Sequence, residues 1–368
     1  MSGTRPRGGR SVPLVLHVVE AYGAGVSSAV SDYVRSLPEV RHVVLAYCRP
    51  GVDIADDLAP FLLELPAGLR AQARAVRLIV RALRPDIIHA HSSYAGAYVR
   101  LGIRRRGARI VYSPHCYAFE RRDVSTLART GFWALEAVMA LRTDSVGTVG
   151  EWERIQAGRL PSGATTVVVP HRRQPGLVAV DGPGAGPIVT VGRIQPQKDP
   201  MFFAAAARDA RVLGGWREWR WIGGGDRDLE ELLRESGVTV TGWKSRQGVL
   251  AELAHAHAYV HTAAWEGNPI SVAEATAAGL PIVARDIPAL RHAVVGPLAA
   301  NPIELAQRVL ELDDEERWQW AAEQARGAAA TADGRAQADA LRDLYGLPAP
   351  APDPAAERAA LLRHREAN

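Results

Sequence analysis

Cysteine is almost missing from this chain: Cys48 and Cys116 are the only two in 368 residues. Two thiols are too few for a disulfide framework, and they lack the paired spacing of a structural zinc site. Lysine is nearly as scarce, with Lys198 and Lys244 the only two among 44 basic residues. The arginine bias therefore reads either as a compositional habit or as a selected surface. No run approaches the roughly eighteen uninterrupted apolar residues of a membrane span, and the opening MSGTRPRGGRSVP has no apolar segment of the kind a secretory signal needs. The expectation is a soluble globular protein of the cytoplasm.

What is present is a chain with 47% hydrophobic residues, long enough for about two to three domains. Its net charge of +4 is unevenly spread. Residues 1–170 carry 22 arginines against 14 acids, and residues 171–368 carry 22 basic residues against 26 acids. After a leader (1–11), apolar strands are expected at 12–19, 43–47, 86–90, 109–113, 145–149 and 166–169. Helices are expected between them near 26–37, 69–83, 93–104, 125–141 and 151–159. The loop Gly23-Ala24-Gly25 breaks the chain between the first strand and the first helix. Residues 174–187, rich in glycine and proline, form a linker. A second series follows, with strands at 188–191, 219–222, 238–241, 258–261 and 281–284. Its helices are near 199–212, 227–235, 246–255 and 270–278, and closing helices lie near 302–312, 314–328 and 335–345. The fold class is thus α/β: two Rossmann-like, doubly wound domains (12–173 and 188–330) facing each other across a cleft, with ligands at the carboxyl ends of the strands. The segment 331–347 is a C-terminal helix able to cross back to the first domain, and 348–368, with four prolines among alanines, is a mobile tail.

The most informative stretch is Glu266-Gly267-Asn268-Pro269-Ile270-Ser271-Val272-Ala273-Glu274, followed by Gly279 and Pro281. It reads as a capped helix, with Asn268 at the N-cap, Pro269 at the first helical position and Gly279 at the stop. Free amides at such a helix start suit an anion such as a diphosphate. Glu266 precedes the helix and Glu274 lies inside it, so two carboxylates can reach different parts of one ligand.

These residues resemble the signature of glycosyltransferase family 4, the retaining family of the GT-B fold, in which two glutamates are separated by seven residues. The segment Gly192-Arg193-Ile194-Gln195-Pro196-Gln197-Lys198-Asp199 is similar to the family's diphosphate-gripping segment. Gly23 to Val26 resembles its glycine loop, and His115 matches its donor-sugar histidine. Asp86 to Ser92 and Ile222 to Asp226 are in the same style, so the resemblance spans roughly 12–345. It implies a metal-independent retaining transfer from a nucleotide diphosphate sugar, with uridine the default base, to a saccharide, lipid-linked or small-molecule acceptor. Arg193, Lys198 and the helix start at Asn268, Pro269 and Ile270 would hold the diphosphate, and Gly23 and Gly25 would allow close approach. Glu274 would hold the ribose, Glu266 the donor sugar, and His115 would face the reacting carbon. No cofactor and no nucleic-acid partner are expected.

Other readings stay open. A sugar-nucleotide epimerase can share this architecture, and a non-catalytic subunit can keep the fold. A dehydrogenase is disfavoured because Ser28 stands where the dinucleotide fingerprint needs its third glycine. His89 and His91, like His255 and His257, have strand spacing for a metal but are read as packing residues. Asp226-Arg227-Asp228 is read as a helix cap, not as a metal-binding pair. Arg70, Arg74, Arg77, Arg81 and Arg84 share one helical face, and Arg100, Arg104, Arg105, Arg106 and Arg109 crowd the next segment. Such a surface either meets an anionic membrane or is simply solvated.

Overall fold

The computed structural model describes residues 12–48, 58–104, 107–172, 180, 182–330 and 334–349. The leader, residues 174–179 of the linker, Arg105, Arg106 and residues 350–368 of the tail lie outside these. The first sheet is built from β1 (Leu14–Tyr22), β2 (Arg41–Cys48), β3 (Leu62–Glu64), β4 (Ile87–His91), β5 (Arg109–Ser113), β6 (Ser145–Thr148) and β7 (Thr165–Val168). The helices of this half are α1 (Ala24–Ser36), α2 (Leu69–Leu83), α3 (Ser92–Gly102), α4 (Thr126–Ala140) and α5 (Glu151–Gly158). Strand order is β3-β2-β1-β4-β5-β6-β7, and every pairing is parallel.

The second sheet holds β8 (Ile188–Val191), β9 (Trp219–Ile222), β10 (Thr239–Val240), β11 (Ala258–His261), β12 (Ile282–Arg285) and β13 (Leu298–Ala299). Its helices are α6 (Pro200–Val212), α7 (Arg227–Glu235), α8 (Arg246–Ala254), α9 (Ile270–Ala277), α10 (Pro288–Ala293), α11 (Pro302–Leu310) and α12 (Glu315–Ala330). Its order is β10-β9-β8-β11-β12-β13, again parallel. The last helix, α13 (Gly334–Tyr345), returns to the first sheet, where Leu341, Leu344 and Tyr345 pack with Tyr33 and Val111.

Parallel strands are covered by helices on both faces, so their buried side chains are mainly apolar, with a group of histidines on β1, β2 and β4 as an exception. In the first half, Val76, Val99 and Ala137 from α2, α3 and α4 close over Leu16, Ile88 and Ile110 on one face. In the second, Phe203, Trp221 and Trp318 anchor the larger core. Each valine, leucine, isoleucine or phenylalanine among them contributes roughly 1.5–3 kcal/mol on burial. Strand order reverses between β1 and β4 in one sheet and between β8 and β11 in the other, which places the ligand crevice at their carboxyl ends. Across the interface, Trp152 of α5 packs against Ile287 and Leu290 of the second half.

Three short elements escape the hydrophobic pattern: β3, β13 and α10 have only two to six residues, too few for a period to register. The glycine loop also differs from expectation. Helix α1 already begins at Ala24, so Gly25 sits in its first turn and Gly23 is its N-cap.

Candidate active site

The segment after β8 is fastened to the segment after β11 by the backbone. Ala264 N–H donates to the Gln197 carbonyl at 2.9 Å, and Thr262 Oγ1 donates to the Lys198 carbonyl at 2.9 Å. Gln197 Nε2 donates to the Trp265 carbonyl at 3.2 Å. These bonds bring Lys198 onto Glu266, and the two form an ion pair that is mostly buried. Burial opposes ionisation of Glu266, but Lys198 and the neighbouring His261 outweigh it and hold the carboxyl at about 2. Glu266 is therefore an anion at any ordinary pH. Arg193 leaves the same strand end, two residues past β8.

Gly223 and Gly225 lie against this segment so tightly that a Cβ on either would fall 2.2 Å or less from the carbonyl oxygen of Gly192 or Ile194. The glycines of residues 223–225 thus serve backbone contact. Asp226 caps α7, accepting from Asp228 N–H at 3.1 Å and Leu229 N–H at 3.3 Å, in keeping with the capping reading.

Helix α9 begins one residue later than its sequence suggests. Pro269 is the N-cap, and Asn268 lies outside the helix and makes no cap bond. The reason is tertiary: Asn268 Nδ2 donates to the Val149 carbonyl at 2.7 Å, and its own carbonyl accepts from His171 Nε2 at 2.9 Å. Asn268 is thus a bridge between the two halves. Gly279, at φ 72°, follows the helix end as its stop. Glu274, inside α9, is buried and pairs with Arg246 at the start of α8. Burial raises its carboxyl above the usual range, and Arg246 partly counters the shift.

The first half meets this helix at two places. A Cβ on Gly25 would lie 3.7 Å from Ile270, and one on Gly267 would lie 3.2 Å from the Cys116 amide. His115 and Cys116 follow β5 with left-handed φ values of 50° and 84°. Two such residues in succession are unfavourable for side chains with a Cβ and persist where the surroundings hold them. Here Glu153 of α5 does so, accepting from Cys116 N–H at 2.5 Å and from Val149 N–H at 2.9 Å. Burial pushes the Glu153 carboxyl up to about 7 against those two bonds. Burial also holds His115 neutral, with its imidazole down at about 3. A cavity of about 350 Å³ between the halves is lined by Gly150, His171, Asn268, Ile270 and Glu274.

Behind His115 stands a row of imidazoles. His115 bonds His91 at 3.0 Å, His91 bonds His17 at 3.0 Å, and His17 bonds His42 at 3.1 Å. His89 lies beside the row, bonded to Tyr345 and Ser113 at 2.9 Å each. One nitrogen from each of His17, His89 and His91 lies within 4.8 Å of the others, a grouping that could hold a metal, yet every ring nitrogen of the three already has a hydrogen-bond partner.

The structure therefore gathers Gly25, His115, Lys198, Glu266, Asn268, Ile270 and Glu274 at the facing strand ends. Sequence reasoning missed Glu153, Arg246, His261, His17 and His42. The signal for His17 was available, since it is a polar group within the apolar, buried run from Leu14 to Val19.

Comparison with known proteins gives the class of each half. Residues 24–172 match the family described as glycosyl transferase 4-like domain, and residues 186–314 match the glycosyl transferases group 1. Both halves thus carry a glycosyltransferase domain, and the chain belongs to the glycosyltransferases of GT-B fold. An uncharacterized 41.2 kDa protein of the cps region of Klebsiella pneumoniae is 22% identical over 82% of this chain and 89% of its own length. The Escherichia coli UDP-Gal:alpha-D-GlcNAc-diphosphoundecaprenol alpha-1,3-galactosyltransferase is 25% identical, over 55% of this chain and 58% of its own. Among solved structures, sucrose-phosphate synthase from Thermosynechococcus elongatus superposes with a TM-score of 0.75 at 17% identity, covering 90% of this chain and 98% of that one. Anabaena HepE in complex with UDP and glucose superposes at 0.74 with 16% identity, covering 91% and 100%.

Proposed function

We propose that the protein is a retaining, metal-independent glycosyltransferase that takes a sugar from a nucleoside diphosphate donor, with uridine the favoured base. The observation that carries this reading is the meeting of Lys198, Glu266 and Glu274 with Gly25 and His115 where the two sheets face each other. Departure of a nucleoside diphosphate builds negative charge on phosphate oxygens, and cations held in place beforehand stabilise that charge. Lys198 is so held, by Glu266 and by the backbone bonds around it. Arg193 and the amides at the start of α9 lie on the same side and add to it. With these in place the protein supplies the charge that a divalent ion would bring elsewhere. Glu274 holds the ribose hydroxyls, Glu266 the hydroxyls of the donor sugar, and the leaving phosphate takes the proton of the acceptor.

A lipid-linked acceptor is the reading favoured among saccharide, lipid-linked and small-molecule acceptors. Its support is the outer face of α2, α3 and α4. Arg70, Arg74, Arg77 and Arg81 are exposed there, no acidic residue lies on α2 or α3, and the single acid of α4, Glu136, is buried against Arg100. Apolar side chains stand out beside the arginines, among them Leu127, 83% exposed, Leu141, 67% exposed, and Trp133. A face mixing arginine with exposed leucine and tryptophan suits the surface of an anionic membrane. The E. coli relative acts on a diphosphoundecaprenol-linked sugar. Mass-spectrometric screening of the purified protein against a panel of sugar nucleotides tests the donor. Release of free nucleoside diphosphate from at least one donor, increased by a lipid-linked acceptor, is expected; no release from any donor would reject the reading.

A further inference from the structure

The row of histidines behind His115 has a direction, and that direction follows from its far end. His42 Nε2 lies 3.0 Å from the backbone carbonyl of Leu37. A carbonyl only accepts, so His42 Nε2 carries the proton, and in a neutral imidazole the other nitrogen, Nδ1, is then bare. Bare Nδ1 of His42 must accept from His17 Nε2 at 3.1 Å, which leaves His17 Nδ1 bare to accept from His91 Nε2 at 3.0 Å. By the same step His91 Nδ1 accepts from His115 Nε2 at 3.0 Å. The nitrogen left over is Nδ1 of His115, and it is unprotonated. Reversing any single link would set two N–H groups or two lone pairs against each other in a buried layer, where an unmade bond is costly.

The layer keeps its members neutral. His17, His89 and His91 are buried and their imidazoles lie well below the usual range, and His42, though nearer the surface, is lowered too. Stacking adds rigidity. The rings of His17 and His42 lie 5.3 Å apart and nearly parallel, as do those of His91 and His115. His89, held by Tyr345 and Ser113, lies against the His91 ring with centroids 4.0 Å apart.

We infer that His91, His17 and His42 are positioning residues that fix His115 as the Nε2–H tautomer, so that the site receives a bare Nδ1 able only to accept a hydrogen bond. The inference rests on the proposed donor site. In that setting His115 is matched to a hydroxyl group of the donor sugar or of the incoming acceptor, which can donate to Nδ1, and mismatched to a phosphate or carboxylate oxygen, which cannot. The row thus contributes selectivity for a neutral sugar hydroxyl beside the cations that take the diphosphate. Leu37, in the α1–β2 turn, becomes the origin of an orientation expressed at the facing sheet ends.

The test is long-range proton–nitrogen NMR of the histidine rings in full-length, histidine-labelled protein at neutral pH, with donor turnover measured on the same samples. Wild type should show His42, His17, His91 and His115 all as neutral Nε2–H tautomers. His42→Phe fills the ring's place but gives His17 Nε2–H nothing to donate to, so the reversed row becomes accessible. Its His115 signal should move toward the Nδ1–H tautomer, and turnover should fall roughly tenfold, which is about 1.4 kcal/mol and the scale of one lost hydrogen bond. His42→Asn keeps an acceptor oxygen near the lost Nδ1 and should restore most of both. A wild-type spectrum showing His115 as imidazolium or as the Nδ1–H tautomer overturns the inference without any variant. So does a tautomer change in His42→Phe with unaltered turnover, which would leave the diphosphate site standing but deny His115 a part in it. Stoichiometric uptake of zinc with loss of the His17 and His91 N–H signals would make the layer a metal site and equally overturn the inference. If wild type turns over no donor while its spectrum is as expected, the row stands and the functional reading falls.

Discussion

Glu266 and Glu274 are eight positions apart in sequence, and their surroundings drive their ionisation in opposite directions. Lys198 and His261 hold Glu266 as an anion, whereas burial of Glu274 favours the proton and Arg246 restrains it. Glu274 therefore gains from any partner that hydrogen-bonds its charged form, as two ribose hydroxyls would. Charge-assisted bonds of that kind are worth roughly 1.5–3 kcal/mol each. Glu274→Gln should weaken binding of the nucleoside diphosphate by calorimetry, and an unchanged dissociation constant would remove Glu274 from the site. Both glutamates were legible in the sequence because their spacing survives folding. Arg246 was not, because it lies 28 residues from its partner, and no local pattern announces an ion pair between the start of α8 and the inside of α9.

At the scale of elements, the turn after β5 depends on α5. Glu153 binds the Cys116 amide and so holds the strained backbone that carries His115. Its carboxyl is raised from 4.5 to about 7 by burial, so the folded protein binds a proton that the unfolded chain releases. The associated stability is fully present below about pH 4.5 and is lost as pH rises through about 7, amounting to something on the order of 3 kcal/mol at most. In chemical denaturation, wild type should lose stability between pH 5 and 8 relative to Glu153→Gln, which cannot titrate. Parallel pH profiles for the two would contradict this account. Strands and helices long enough to show a period were readable in advance, β5 and β8 to the residue. The position of Asn268 was not, because its partner, the Val149 carbonyl, belongs to the other half of the chain and outweighs its local preference for a cap.

Among the described residues, α2, α3 and α4 present a basic and apolar outer face, and the sequence overstated its charge. Arg100 belongs by sequence to the arginines that crowd the segment after α2, yet it is buried, bonded to both oxygens of Glu136 at 2.9 and 3.1 Å and stacked over Tyr112. Arg109 is likewise turned to Ser145. The remaining arginines of α2 stay outside, beside a cavity of about 430 Å³ lined by Arg77, Arg81, Arg84 and Arg104 over Ile88 and Ile110. With each cation near an anionic surface worth about 1 kcal/mol, the protein should sediment with anionic vesicles at low salt and be released at high salt. An Arg74→Glu, Arg77→Glu, Arg81→Glu variant should fail to sediment. No binding of wild type at low salt would leave the arginine face as a solvated surface.

If the protein's own cations take the charge of a departing nucleoside diphosphate, loss of Lys198 is where the effect should be greatest. The measurement is release of nucleoside diphosphate from the accepted donor by wild type, Lys198→Ala and Lys198→Arg, each with and without EDTA. EDTA should cost wild type little, Lys198→Ala should lose about a hundredfold to a thousandfold in turnover, and Lys198→Arg should recover part of it, its planar head fitting less well where a point charge is wanted. Turnover abolished by EDTA and restored by manganese, or a Lys198→Ala variant that turns over normally, would mean that the diphosphate is neutralised by something other than these cations.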